Sequence, residues 1–174
     1  MYKVGIVGPE STGKSTLAQC LARRHKGVYI PEYARTYVES LPCASAYTMA
    51  DVEHIARHQV AQLQELEMRQ CEDKQVYFFD TELIITKIWF LEKYDVCPEF
   101  VERALRQYPM DMYLLCYPDL PWVYDPVREN PDKRRYLYDL YERELQMLDI
   151  PYYIVRHELN GENVAFFPAE EKSI

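Results

Sequence analysis

No run of apolar residues in this chain approaches the ~18 that a membrane-crossing helix needs, so membrane-spanning classes fall away first. Basic charge is short as well: 20 Lys and Arg stand against 28 Asp and Glu, for a net charge of −8. A general nucleic-acid surface needs a basic face to neutralise phosphates, and this balance argues against one. Cysteines are few and scattered: Cys20, Cys43, Cys71, Cys97 and Cys116 are odd in number and never spaced C-x-x-C. That fits reduced thiols in a cytoplasmic protein better than disulfides or zinc. A secretory leader is not expected, because Tyr2 to Val7 is too short for its apolar region. Glycine is scarce, with five in 174 residues where about 7% is ordinary. Two of the five, Gly8 and Gly13, fall inside one eight-residue run.

That run is Gly8-Pro9-Glu10-Ser11-Thr12-Gly13-Lys14-Ser15, which fits G-x-x-x-x-G-K-[ST] at every fixed position. Val4, Ile6 and Val7 before it read as a short buried strand. Leu17, Ala18, Leu21 and Ala22 after it share one helix face. The chemistry needs this arrangement. Glycines let the backbone fold around an anion, and the new helix offers unpaired N–H groups at its positive dipole end. Lys14 supplies a charge to the β and γ phosphates, and the Ser15 hydroxyl can ligate Mg²⁺. The expected nucleotide contacts are Gly8, Pro9, Glu10, Ser11, Thr12, Gly13, Lys14, Ser15 and Thr16.

With 48% hydrophobic residues, the 174-residue chain is expected to form one domain, 1–174, with a sizeable core. Strands are read near 2–7, 28–31, 75–79, 111–116 and 152–155. Helices are read near 14–25, 51–72, 81–93, 98–107 and 132–148. Strands alternating with helices imply a parallel sheet covered on both faces, a doubly wound α/β fold. Ligands of such sheets bind at the carboxyl ends of the strands, which gathers Gly8, Glu32, Asp80 and the segment after Cys116 along one edge.

Asp80 ends the apolar strand Val76-Tyr77-Phe78-Phe79, where a carboxylate could hold Mg²⁺ or cap the helix that follows. Glu32, in Pro31-Glu32-Tyr33-Ala34-Arg35, could accept a proton from a substrate hydroxyl while Arg35 steadies a phosphate. The bland alternative is a surface ion pair at (i, i+3). Pro118 to Arg128, followed by Lys133, Arg134 and Arg135, reads as a lid over transferring phosphates, near 118–135, or as a solvated charge run. His54 and His58 share a helix face without the glutamate of a zinc motif. Gln59 lies near the apolar stripe of the same helix, at its edge or facing a ligand. Tyr136, Tyr138 and Tyr141 suggest packing on the last helix.

Taken in order, the phosphate loop, Glu32-Tyr33-Ala34-Arg35, Phe78-Phe79-Asp80-Thr81 and Pro121-Trp122-Val123-Tyr124-Asp125-Pro126-Val127-Arg128-Glu129-Asn130-Pro131 resemble the ribosylnicotinamide kinase domain of NadR-like proteins, a branch of the P-loop kinases. The resemblance covers roughly residues 1 to 155. It implies a P-loop NTPase fold: a three-layer sandwich with a five-stranded parallel sheet, order 2-3-1-4-5. It implies transfer of the γ-phosphoryl group of ATP, with Mg²⁺, to the 5′-hydroxyl of nicotinamide riboside. Under it Lys14, Glu32, Asp80 and Arg128 are the catalytic candidates, and Ser15 and Asp80 the metal candidates. Glu32, Tyr33, Arg35, Thr81, Trp122 and Asp125 are the substrate candidates. After Val155 the family pattern leads to a final amphipathic helix, whereas Arg156 to Phe167 here has no clear period. A kinase for another nucleoside or a nucleotide-sensing ATPase are the rival readings. A GTP switch is disfavoured, since no N-K-x-D motif occurs.

Overall fold

The computed structural model describes residues 1–43, 46–69, 75–125, 131–157 and 164–168. Its sheet is built from β1 (Tyr2–Val7), β2 (Val28–Ile30), β3 (Val76–Asp80), β4 (Met112–Cys116), β5 (Tyr152–His157) and β6 (Val164–Pro168). Its helices are α1 (Lys14–Arg24), α2 (Tyr33–Ser40), α3 (Met49–Met68), α4 (Leu83–Tyr94), α5 (Glu99–Gln107) and α6 (Arg134–Leu148). The sheet order is β2-β3-β1-β4-β5-β6. The first five strands are parallel, in the expected order, and β6 pairs antiparallel with β5, Val155 opposite Phe166.

The sheet therefore has six strands rather than five. Val164-Ala165-Phe166-Phe167 lacks a helical period, but its apolar and aromatic residues suit a pleated surface, and the edge of β5 gives its backbone a ladder to join.

Alternation along the strands explains the layers. Val4, Ile6, Phe78, Leu114, Cys116 and Val155 face one side, where Leu17, Ala18 and Ala22 of α1 pack on them. Val7, Ile30, Tyr77, Phe79, Tyr113 and Leu115 face the other and meet α2 to α6 in the larger core. Local causes account for where α2, α3 and α4 lie. α3 opens on a capping box, Thr48 with Asp51, two residues before the expected start. Helix α2 was not expected; it is short, and Ala34 and Val38 at (i, i+4) bury its one apolar face. Helix α4 starts at Leu83 because Glu82 caps it by accepting from the Ile84 N–H at 3.0 Å. No helix among the described residues is long and apolar enough to cross a membrane.

Candidate active site

The phosphate loop takes the backbone shape its sequence predicts. Gly8 has φ +137° and lies so close to β4 that a Cβ would sit 2.7 Å from the Cys116 carbonyl oxygen. Gly13 has φ +73°, and it opens α1 with no side-chain cap. The first amides of α1 are thus left available to an anion. Thr12, buried, donates to the Pro9 carbonyl at 2.8 Å and pins the loop's curve. The Lys14 ammonium also donates to Pro9 O, at 2.7 Å, so the cation is parked on its own loop.

Two carboxylates stand beside it. Asp80, 1% exposed, accepts from the Tyr29 hydroxyl at 3.0 Å through Oδ2. Its Oδ1 is buried and has no hydrogen-bond partner among the described residues. A buried carboxylate oxygen without a donor is costly unless a cation or water completes it, so the donor set fits Mg²⁺, with Ser15 as the second oxygen. Glu32 begins α2 without capping it, which leaves its carboxylate to the site. Burial pushes its pKa up. Lys14 and Arg35 pull it back down, as does the Thr81 hydroxyl, and Asp80 raises it further. Thr81 itself sits at φ +73°, a left-handed conformation costly for a β-branched residue and common at functional sites.

Beyond Glu32 the cavity, about 500 Å³, continues between α2 and α4. Its walls include Val38, Ile85, Ile88, Tyr47, Trp89 and Tyr141. The Tyr47 and Trp89 rings meet edge to face at 4.8 Å, and Trp89 Nε1 donates to the Tyr47 hydroxyl at 2.9 Å. The Lys93 ammonium lies 3.5 Å over the Tyr47 ring. Burial, reinforced by Glu10, Glu32, Glu82 and Glu92, holds the Tyr141 hydroxyl protonated far above its usual range. Behind the site the buried Glu82 carboxyl is pushed up to about 8 by desolvation, against the pull of backbone and Tyr113 hydrogen bonds.

The segment 119–125 crosses the phosphate loop as a strap. At one end Asp119 accepts from the His157 backbone N–H (2.9 Å) and pairs with His157 Nδ1 (2.8 Å). In the middle Trp122 Nε1 reaches Glu10 at 3.5 Å, and the Val123 N–H donates to Ser11 Oγ at 3.1 Å. At the far end Asp125 pairs with Arg35 at 3.0 Å. Arg134 tightens the crossing by donating to the carbonyls of Leu120 (2.8 Å) and Ser11 (3.4 Å).

The structure thus brings Lys14, Glu32, Arg35, Asp80 and Thr81 together and links Trp122 and Asp125 to them through the strap. Residues Gly8 to Thr16 all line the cavity. Tyr33 does not: its ring stacks on His58 at 3.5 Å, with its hydroxyl 3.1 Å from His54 Nε2. The stack accounts for both histidines. Gln59 is buried and accepts from Thr86 Oγ1 at 2.7 Å, so it faces no ligand. Arg128 lies outside the described residues. Sequence reading missed Tyr47, Trp89, Lys93 and Glu92, and assigned Tyr141 to packing alone. Only a helical projection of α4 could have put Ile85, Ile88, Trp89 and Glu92 on one face.

Comparison with known proteins agrees with this geometry. The family model described as an AAA domain matches residues 3–161. The trifunctional NAD biosynthesis/regulator proteins NadR of Salmonella typhimurium (strain LT2) and Escherichia coli (strain K12) are each 32% identical over 128 residues. The match takes in 72% of this chain, and the chain spans about 30% of the length of these relatives. Among solved structures, a NadR protein in complex with NR aligns with TM-score 0.69 at 23% identity, over 88% of this chain and 44% of that one. A deoxyadenosine kinase from M. mycoides aligns with TM-score 0.56 at 15% identity, over 88% and 90% of the two chains. These likenesses show the fold: a P-loop kinase-like α/β sandwich.

Proposed function

The chain belongs to the AAA domain family, and on that premise we propose that it is an ATP- and Mg²⁺-dependent kinase whose acceptor is nicotinamide riboside. The observation that carries this reading is the continuity of the cavity, from the phosphate loop past Glu32 to Tyr47 and Trp89. A nucleotide sensor has no use for an aromatic-walled compartment beyond the γ-phosphate. A kinase needs one, of the size found for small-molecule sites. The Tyr47 ring face, which now holds the Lys93 ammonium, would suit a positively charged pyridinium base once that side chain swings aside. The relatives named for NAD biosynthesis, at 32% identity, support the same acceptor.

In the proposed reaction Lys14 exchanges the Pro9 carbonyl for the β and γ phosphates. Asp80 and Ser15 would hold Mg²⁺, which when bound neutralises charge on those phosphates. Glu32 accepts the proton of the 5′-hydroxyl as its oxygen bonds to the γ-phosphorus, and the bridging oxygen leaves with ADP. The raised pKa of Glu32 makes it a better proton acceptor than an ordinary carboxylate. Arg35 orients Glu32, 3.9 Å away, and ties it to the strap. The product of the proposed reaction is nicotinamide mononucleotide.

Incubation with ATP, Mg²⁺ and a panel of nucleosides, read by mass, tests this. The expected main product is phosphorylated nicotinamide riboside. Preferred phosphorylation of another nucleoside would reassign the acceptor, and ATP hydrolysis without any phosphorylated acceptor would sink the kinase reading.

A further inference from the structure

Sheet order places the two substrates on opposite sides of β1. Glu32 follows β2 and Asp80 ends β3, so the acceptor cavity lies on the β2–β3 side. A triphosphate with its terminal phosphate at Lys14 must therefore leave the loop toward β4 and β5. Two polar residues wait there, Asp119 just after β4 and His157 at the end of β5.

They form a fixed pair. The Asp119 carboxylate accepts from the His157 backbone N–H at 2.9 Å and lies 2.8 Å from Nδ1. A carboxylate accepts only, so Nδ1 carries the proton. The other edge of the ring faces the phosphate loop. A Cβ built on Gly13 would lie 3.2 Å from His157 Nε2 and 3.6 Å from Cε1. The imidazole is 11% exposed, and Nε2 has no hydrogen-bond partner among the described residues. Two bonds thus orient a nearly buried ring so that its remaining nitrogen faces Gly13 of the phosphate loop.

We propose that His157 Nε2 is the hydrogen-bond partner of a ribose hydroxyl of the donor nucleotide, and that Asp119 is the positioning residue that holds the ring toward Gly13. The inference deepens the kinase reading and rests on its donor half only. With Nδ1 committed to Asp119, Nε2 is the ring atom left to bond the hydroxyl. Gly13 is required on the facing side, since any side chain there would crowd the ring.

The test is calorimetric binding of ADP, 2′-deoxy-ADP and 3′-deoxy-ADP to the full chain, with no acceptor present. A wrong acceptor assignment therefore leaves the result untouched, and failure to bind ADP at all would defeat the donor reading and the inference with it. The intact protein should bind ADP about tenfold more tightly than one of the deoxy forms, the loss expected for one hydrogen bond. His157→Phe keeps ring bulk beside Gly13 and should bind all three alike. Asp119→Ala leaves Nε2 in place but frees the ring, and it should lose most of the discrimination as well. A merely structural dyad would weaken all three nucleotides equally and keep their ratio. Equal affinities in the intact protein, or a ratio that survives His157→Phe, would overturn the proposal. A ratio that survives Asp119→Ala would overturn the positioning role. Unchanged thermal unfolding midpoints certify that each variant is folded.

Discussion

One cation and two carboxylates are proposed to divide the work around the phosphate loop, and single substitutions separate them. Lys14→Ala removes the charge that now rests on Pro9 O without disturbing the core. Turnover should fall at least ~10²-fold, the scale at which electrostatic stabilisation acts, while the unfolding midpoint stays put; steady-state kinetics with calorimetry checks both. Glu32→Gln keeps shape and removes the proposed proton acceptor, so kcat should fall ~10²-fold or more with ADP affinity intact. Asp80→Asn differs in kind. It weakens the buried Asp80 oxygen that lacks a hydrogen-bond partner among the described residues, so its defect should shrink as Mg²⁺ is raised. A Glu32 variant that loses nucleotide affinity, beside an Asp80 variant indifferent to metal, would reverse the assignment.

Among the elements, α4 and the strap carry the clearest consequences. Glu82 caps α4 from a dry position, and its pKa of about 8 lies far above its unfolded value. A carboxyl raised on folding contributes stability below the unfolded pKa and loses it as pH climbs through the folded one. The unfolding midpoint should therefore drop between pH 5 and pH 9, by a contribution on the order of 4 kcal/mol. Glu82→Gln, neutral throughout, should flatten the profile; an unchanged slope would assign the pH dependence elsewhere. The strap makes a different prediction. Arg35 holds Asp125 at 3.0 Å and Glu39 at 3.1 Å, with Glu32 beyond. Asp125→Ala should loosen the acceptor end, raising the acceptor KM several-fold with the ATP KM nearly unchanged. Limited chymotryptic cleavage after the exposed Tyr124 should also slow when ADP and acceptor are both bound.

For the whole molecule, legibility in the sequence followed locality. The phosphate loop, β1, β3 and α1 were readable because short-range spacing determines each: two glycines and a lysine, or a run such as Val76 to Phe79. The strand-end carboxylates were placed by one topological rule. The aromatic wall of the cavity was not readable, because Tyr47, Trp89 and Tyr141 come from three separate stretches and meet only when α4 and α6 pack. Nor was β6, whose strand state depends on the edge offered by β5. Asp119 and His157, 38 residues apart, are paired only by the adjacency of β4 and β5. The proposed placement of donor and acceptor on either side of β1 has a kinetic consequence. Neither substrate would need to depart before the other arrives, so the phosphoryl group would pass directly between them within a ternary complex. Double-reciprocal plots at varied ATP and nucleoside should intersect, and isotope exchange between ADP and ATP should require the nucleoside. Parallel lines would point instead to a phosphorylated protein intermediate.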